Sequence, residues 1–191
     1  MSPSYFENLS FENRDYSTER LPAGEYENCT FRSCNFKDGD LTKCVFIACS
    51  FTACDLSMVK IQGTSFRDVK FSDCKILGAR FDTCSTMLLS FAFVKCMLNL
   101  SSFFRLKLKG ALFEECVLHE VEFQEADLTK STFRNCDLRD ASFEDTILDQ
   151  ADLSSAHSFT IDPSKNRLKK TRFSRHGLEG LLAHLDLIIV E

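Results

Sequence analysis

A five-residue period runs through most of this chain. Large apolar side chains stand at every fifth position from Phe6 to Phe81, and after a slip of two residues they recur from Leu88 to Leu153. All 30 of these central positions hold Phe, Leu, Ile or Tyr. A helix spaces its apolar residues by about 3.6 and a strand by 2, so neither explains a run of fives. The period predicts a chain that turns a corner at each repeat and points one large side chain inward from each side of a square.

A second inward position lies two residues before each central one, and it has to be small because the large side chains already fill the axis. From Gly24 onward, 24 of 26 such positions hold Gly, Ala, Ser, Thr, Cys or Val, the exceptions being Phe91 and Leu106. Nearer the start of the chain the pattern is lost, at Leu9, Arg14 and Glu19. We therefore predict an all-β solenoid, a right-handed quadrilateral β-helix, over residues 1–158, with an irregular N-terminal coil at 1–23.

The cysteines give an independent measure of the coil length. Six of them follow one another at a constant interval of four repeats, apart from a single interval that is longer by two: Cys34, Cys54, Cys74, Cys96, Cys116 and Cys136. Four repeats make one coil, and the longer interval predicts a two-residue bulge at about 82–87. The thiols should form one interior column with neighbours about 4.8 Å apart, the spacing of adjacent strands. Such a column could be a metal site or a redox relay, but the simpler interpretation is a small apolar filler.

Composition narrows the class of protein. The 191 residues are 44% hydrophobic and carry a formal net charge of −5, which is typical of a soluble globular chain and unlike a general nucleic-acid binder. The first residues lack the basic start and apolar run of a signal peptide, and no apolar run is long enough to span a membrane. We expect a cytoplasmic protein with reduced thiols, no membrane contact, no direct nucleic-acid contact, no cofactor and no metal.

The C-terminal tail, residues 159–191, leaves the period of five. Ser174 is placed to cap a short helix, and Phe173 to pack onto Leu178. The helix should carry an apolar stripe formed by Leu178, Leu181, Leu182 and Leu185. After it, residues 187–190 are apolar and predict a short strand. The tail could cap the open coil of its own subunit, as the end of a solenoid requires, or it could join two subunits.

Three stretches resemble the A(D/N)LXX consensus of pentapeptide-repeat proteins: residues 126–130, 141–145 and 151–155. The tail resembles that of the subgroup that contains the Qnr quinolone-resistance proteins, MfpA and the microcin-immunity protein, and Phe159 to Asn166 particularly resembles the immunity protein. This resemblance implies that the tail forms a homodimer interface. The implied interface residues are Phe173, Leu178, Leu181, Leu182, Leu185, Leu187, Ile188, Ile189 and Val190.

Charge is distributed unevenly along the solenoid. Residues 1–40 carry 8 acids and 4 bases, residues 41–110 carry 4 acids and 10 bases, and residues 111–158 carry 12 acids and 3 bases. Head-to-head dimerisation would bring the two acidic segments together in the middle of a narrow rod. By resemblance to the family, this implies a DNA-like surface that binds DNA gyrase or topoisomerase IV. The implied contact residues are Glu114, Glu115, Glu120, Glu122, Glu125, Asp127, Asp137, Asp140, Glu144, Asp145, Asp149 and Asp152.

The resemblance further implies protection of that enzyme from quinolones or from a peptide toxin. Two features depart from it, since several Qnr proteins carry long loops where this chain has only a two-residue slip, and the basic band at 41–110 breaks a uniform acidic surface. Acids on the outside of a solenoid also serve solubility alone. An enzyme is disfavoured, because His119, His157, His176 and His184 are scattered and no catalytic motif is present. The open alternative is a structural or interaction scaffold with an unrelated partner.

Overall fold

The computed structural model describes residues 4–185 and 187–188, which form a parallel β-solenoid of about eight turns with one short C-terminal helix, as the period predicts. The strands are β1 (Ser4–Glu7), β2 (Ser10–Glu12), β3 (Gly24–Glu27), β4 (Thr30–Arg32), β5 (Val45–Ile47), β6 (Ser50–Thr52), β7 (Ser65–Arg67), β8 (Val69–Ser72), β9 (Phe91–Val94), β10 (Leu112–Glu114), β11 (Thr132–Arg134), β12 (Asp152–Leu153) and β13 (Arg172–Phe173).

The chain winds around four sides, which we call first to fourth after the order of Phe66, Phe71, Ile76 and Phe81 in one coil. On the second side, nine strands from β2 to β13 form one continuous parallel sheet. Its register advances by four repeats per coil, except between β8 and β9, where Phe71 pairs with Phe93. On the first side, the sheet of β1, β3, β5 and β7 ends at Arg67. On the third side and on the fourth side, successive coils pair through isolated parallel bridges.

Most sides end in a corner residue with a left-handed backbone, those centred on Phe81 and Leu153 being exceptions. These residues lie two positions after the central one, and their φ angles fall between +50° and +72°. Asparagine, aspartate and glycine adopt this conformation at the lowest cost, and they occupy many of the corners, for example Asn8, Asp73 and Gly110. The left-handed residue redirects the chain into the next side.

The axis is filled by stacked rings. On the second side Phe51, Phe71, Phe93 and Phe113 stack with neighbouring centroids 5.1 to 5.4 Å apart and interplanar angles of 12° to 18°. Rings on adjacent sides meet edge to face, as Phe113 and Phe123 do at 83°. Offset stacking and edge-to-face contact are the arrangements that aromatic quadrupoles favour. The repeating central residue is therefore the source of the core.

The small inward position also satisfies main-chain acceptors. Thr64 Oγ1 donates to the carbonyl of Leu41 at 2.9 Å, and Cys49 Sγ donates to that of Tyr26 at 3.2 Å. All ten cysteines are buried and unpaired by disulfides. The thiols at 34, 54, 74, 96, 116 and 136 lie in one column, and Cys54 of this column donates to the carbonyl of Phe31 at 3.5 Å. A compact side chain with a weak donor suits this site, which supports the filler interpretation.

The bulge corrects one part of the predicted register. The period of five places Leu88 on the axis, but 71% of it is exposed and its φ is +55°. The ladder to the coil below holds at Ser85 and resumes at Ser90, so the chain loops outward between them, slightly later than the predicted 82–87. Phe91 and Leu106, both oversized for the small position, are buried at 5% and 2% and fill the space that Leu88 leaves.

The N-terminal coil is more regular than predicted. β1 and β2 pair in register with β3 and β4, beginning at Ser4 and Gly24. Phe6, Phe11 and Tyr16 keep their inward direction but remain half-buried, since among the described residues they are covered only from above. The period had decayed only at the small positions, where an end coil has room for larger side chains.

The C-terminal helix lies across the last coil. It consists of a 3₁₀ turn (His176–Leu178), α1 (Glu179–Leu182) and a second 3₁₀ turn (Ala183–Leu185). Ser174 caps it as predicted, because its Oγ accepts the Gly177 N–H at 3.0 Å. Two glycines face the end of the solenoid, and the Ile161 N–H donates to the Gly180 carbonyl at 3.0 Å.

Candidate protein-binding surface

Most of the twelve predicted contact acids are ion-paired, and the partner usually lies one coil away. Arg134 pairs with Glu114 at 2.9 Å and Arg105 with Glu125 at 2.7 Å, each between adjacent coils. The further pairs are Lys95 with Glu115, Lys109 with Asp127, His119 and Arg139 with Asp137, Lys165 with Glu144, Arg167 with Asp149, and Arg172 with Asp152. Eight of the twelve acids therefore have much of their charge compensated within the chain.

Several of these acids also hold turns. Asp152 Oδ1 accepts the N–H and the hydroxyl of Ser154 at 2.9 and 2.6 Å, and these bonds lower the pKa of Asp152. Burial acts to raise the pKa of Asp127, but hydrogen bonds from Thr129 outweigh it and the pKa is lowered. Aspartate commonly stabilises turns by accepting from the main chain two residues on. These carboxylates belong to the architecture of the solenoid as much as to its surface.

Asp149 is withdrawn from solvent. It is only 8% exposed, and its carboxylate accepts from the Arg167 guanidinium at 2.5 Å and from the Lys169 N–H at 3.0 Å. An outward-facing partner has little access to it.

Four acids keep their charge free for a partner. Glu120, Asp140 and Asp145 are exposed, and within the described residues they have no ion pair or side-chain hydrogen bond. Glu122 is half-buried and accepts only from the Ser102 hydroxyl at 2.6 Å. Glu122 lies on the fourth side, and the other three lie at its two corners. Of the four acids predicted to stack on one face, Glu122, Glu125, Glu144 and Asp145 do share this side, but Glu125 and Glu144 are paired.

The basic band at 41–110 and the acidic segment above it are partly one network. Arg105 and Lys95 belong to the basic band, yet they pair with acids at 125 and 115. The net charge of each sequence segment does not reveal these ion pairs, because neighbours on the surface of a solenoid are one coil apart in the sequence. Comparing each charged residue with the one four repeats further on would have predicted these two pairs.

The tail presents apolar side chains to solvent. Leu181 packs on the core, and the ring centroids of Phe173 and Phe159 lie 5.5 Å apart, so both Leu181 and Phe173 cover their own subunit. The other described members of the predicted interface are exposed: Leu178 46%, Leu182 38%, Leu185 51%, Leu187 56% and Ile188 93%. Leu187 and Ile188 belong to no strand, and Ile189 and Val190 lie outside the described residues. The exposed Leu178 makes the predicted packing against Phe173 a minor contact at most.

Neither a membrane-spanning helix nor a cluster of metal ligands is found in the described part of the chain. Between residues 4 and 188, residue 186 excepted, no helix has the length and hydropathy needed to cross a bilayer. No three His, Cys, Asp or Glu side chains within those bounds are arranged to hold a metal ion.

Comparisons with known proteins agree on the architecture. A family model described as pentapeptide repeats (8 copies) matches residues 49–85, and one described as a pentapeptide repeat region matches residues 106–181. Together they span more than half of the chain. A comparison with curated protein sequences finds no significant match.

Among solved structures, the chain is similar to QnrB1, described as a plasmid-mediated fluoroquinolone resistance protein. A trypsin-treated QnrB1 variant matches with a TM-score of 0.55 and 19% identity, over 98% of this chain and 100% of that one. Full-length QnrB1 gives 0.52 and 20%, over 96% and 100%. HetL from the cyanobacterium Nostoc sp. strain PCC 7120, described as involved in heterocyst differentiation regulation, gives 0.46 and 15%, over 91% and 86%.

Proposed function

The chain belongs to the pentapeptide-repeat family, and on that premise we propose that it is a non-enzymatic protein that binds DNA gyrase or topoisomerase IV. It protects that enzyme from quinolones or from a gyrase-targeting toxin. The description of QnrB1 as a fluoroquinolone resistance protein supports this choice of activity. The ten unpaired thiols fit a reducing compartment, so we place this activity in the cytoplasm.

The observation that carries the proposal is the set of free carboxylates around the fourth side. Glu120, Glu122, Asp140 and Asp145 are held on a straight scaffold, in two coils about 4.8 Å apart. A groove that binds duplex DNA is lined with cations and attracts fixed negative charge. Complementary potentials steer such an encounter and make it sensitive to salt.

Dimerisation would double this surface. The exposed apolar residues of the tail, Leu182, Leu185 and Ile188 among them, are suited to a second copy of the chain. Two copies joined there would place both sets of free carboxylates on either side of one junction. The partner would then meet a rod with its most acidic part at the centre.

A second candidate is a scaffold that binds an unrelated protein. The observation that favours it is the internal pairing of eight predicted contact acids, which leaves a much weaker field than a DNA duplex has. A partner selected by shape rather than by charge would suit this surface.

A supercoiling assay separates the two candidates. Purified protein is added to gyrase with and without a quinolone, and binding to gyrase is measured with linear DNA as competitor. We expect binding that DNA displaces, together with fewer drug-stabilised breaks. The Glu122→Gln/Asp145→Asn variant should lose both effects. The control Asp68→Asn/Asp73→Asn removes two exposed acids from corners of the basic band and should keep them. If the wild type neither rescues the enzyme from the drug nor binds it in a way that DNA displaces, the scaffold is the better description.

A further inference from the structure

The corner between the third and fourth sides carries two kinds of exposed side chain. It is formed by Met58, Gly78, Leu100, Glu120 and Asp140, which we call the corner ridge. Main-chain bonds hold these residues in successive coils, since the Met58 N–H donates to Leu77, the Leu100 N–H to His119 and the Glu120 N–H to Arg139. The lower half is apolar, with Met58 and Leu100 each 59% exposed, and the upper half ends in two unpaired carboxylates.

The backbone at this position does not favour aliphatic residues. Corner residues have positive φ, which is +55° at Met58 and +63° at Leu100. Bulky side chains are unfavourable in this conformation, whereas asparagine, aspartate and glycine tolerate it. Met58 and Leu100 therefore combine an unfavourable backbone with apolar surface in water. Residues kept against both costs are candidates for binding.

The apolar half of the ridge extends onto the third side. Met97 is 46% exposed and pairs in register with the half-buried Val117. Leu77, also half-buried, lies beside the Met58 side chain, which folds over Gly78 so closely that a Cβ there would approach its sulfur to under 3.0 Å. Methionine adapts its shape to a partner more readily than branched residues do. The result is one apolar patch that spans four coils.

Charge determines which partner fits. Glu120 and Asp140 continue the line of the patch, and within the described residues neither forms an ion pair, since the adjacent Arg139 pairs with Asp137 at 3.7 Å. We propose that the corner ridge docks a basic amphipathic segment of the partner, with aliphatic or aromatic side chains on Met58 and Leu100 and lysine or arginine on Glu120 and Asp140. This inference rests on the proposed function, with the topoisomerase as the partner. From Met58 to Asp140 the ridge is roughly 19 Å long, about six residues of extended chain.

The ridge adds a component that DNA-like charge alone does not supply. Contacts between exposed charges weaken as salt screens them, whereas apolar burial does not. Affinity for the partner should therefore have a salt-resistant part that depends on Met58 and Leu100, and a salt-sensitive part that depends on Glu120 and Asp140.

The test measures the dissociation constant for purified gyrase at low and high salt, by a method independent of supercoiling. The first variant is Met58→Asn/Leu100→Asn, which suits the left-handed corner and should keep the wild-type melting temperature or raise it. The second is Glu120→Gln/Asp140→Asn. The matched control is Leu88→Asn, since Leu88 is also exposed with positive φ but lies on the opposite, first side.

We expect the Met58→Asn/Leu100→Asn variant to bind about tenfold or more weakly at both salt concentrations. The charge variant should bind more weakly at low salt only, and the Leu88→Asn control should bind as the wild type does. Wild-type binding that persists unchanged in the Met58→Asn/Leu100→Asn variant would overturn the ridge and leave the proposed function standing. An equal loss in the Leu88→Asn control would also overturn it. A wild type that binds neither gyrase nor, in the same assay, topoisomerase IV at either salt concentration would remove both proposals.

Discussion

At the scale of the residue, each position of the five-residue repeat has a separate task. The central residue fills the axis, the residue two before it accepts only a small side chain, and the residue two after it turns the corner with positive φ. Several thiols and hydroxyls at the small position donate to the coil below, as Thr146 Oγ1 does to the Phe123 carbonyl at 2.9 Å, although the buried Ser131 hydroxyl has no such partner among the described residues. Burying a donor without such a partner would cost roughly 1 to 3 kcal/mol.

The buried thiols should make the protein less stable in alkali. Burial raises the pKa of Cys44 and Cys49 to about 11, above the ordinary value of 9.0. The folded chain thus keeps protons that the unfolded chain releases, so this contribution to stability is complete below about pH 9 and is lost as the pH rises towards 11. Each such thiol adds a slope of about 1.4 kcal/mol per pH unit in that window.

Urea unfolding at pH 7, 9 and 10 with reductant measures this slope. The Cys49→Ala variant should show a shallower loss between pH 9 and 10 than the wild type. The Val69→Ala variant empties a comparable inward position without removing a thiol, so it should lose stability equally at all three values. If the free energy of unfolding falls equally with pH in Cys49→Ala and in the wild type, the buried Cys49 thiol is not a source of the pH dependence.

At the scale of the element, the bulge and its two oversized neighbours form one unit. Because Leu88 turns outward, Phe91 enters the axis and packs 5.3 Å from the Phe81 ring centroid. The first-side sheet ends below the bulge, and above it the same side continues as bridges such as Lys107 with Asp127.

Deleting Thr86 and Met87 should therefore destabilise the protein. The deletion places Leu88 five residues after Phe81 and five before Phe93, which directs it into space that Phe91 and Leu106 already occupy. Overpacked cores typically lose about 1 to 3 kcal/mol. Adding Phe91→Ala and Leu106→Ala to the deletion should recover most of the loss in denaturant unfolding. A deletion that is neutral without them would contradict the described exchange of side chains.

The glycines of the C-terminal helix allow it to pack closely against Phe159. A Cβ at Gly180 would lie under 3.0 Å from both the carbonyl oxygen and the ring of Phe159. Gly180→Ala improves helix propensity by about 1 kcal/mol, but the helix must lift, which strains the bond from Ile161. We expect a net loss of melting temperature, whereas Glu179→Ala on the exposed neighbour should change it little. A higher melting temperature for Gly180→Ala would show that the helix is not seated on Phe159.

The five-residue period predicts structural features that depend on single residues. It does not predict features in which the volume or charge of one residue is compensated by another. The central positions, the cysteine column and the Ser174 cap follow from the sequence because each has a local cause. The outward turn of Leu88 does not, since it depends on the joint volumes of Phe91 and Leu106. The ion pairs of the candidate surface do not follow from the sequence segment by segment, because the charge of Glu125 or Asp152 is compensated by a partner in the adjacent coil.

At the scale of the whole molecule, the protein is a straight rod with its exposed apolar surfaces at defined places. Nine strands on the second side give a length of roughly 38 Å before the helix. Ion pairs between exposed groups along the rod each contribute little to stability, typically under about 1 kcal/mol, so their main effect is on the surface field. The tail and the corner ridge each group several exposed apolar side chains, as the bulge does with Met87 and Leu88.

The proposed dimer should depend on the exposed apolar residues of the tail. Leu182→Glu with Ile188→Glu should convert a dimer into a monomer, because two buried charges per copy would have no partners. Light scattering at micromolar concentration measures the mass. Met87→Glu, at a side chain that is 66% exposed but distant from the tail, should leave the dimer intact. A wild type that is already monomeric would end the model of one continuous acidic rod.

The register of four repeats per coil, which holds outside the bulge, has a further consequence for how such a protein can change. Each coil touches only the coil above and the coil below, so inserting or removing a whole coil leaves every other contact intact. The reach of the molecule along a partner can thus be lengthened or shortened in steps of about 4.8 Å. The length of the rod is therefore set by its number of coils. Duplication of twenty codons adds one coil, and it does so whichever side chains the outer surface carries.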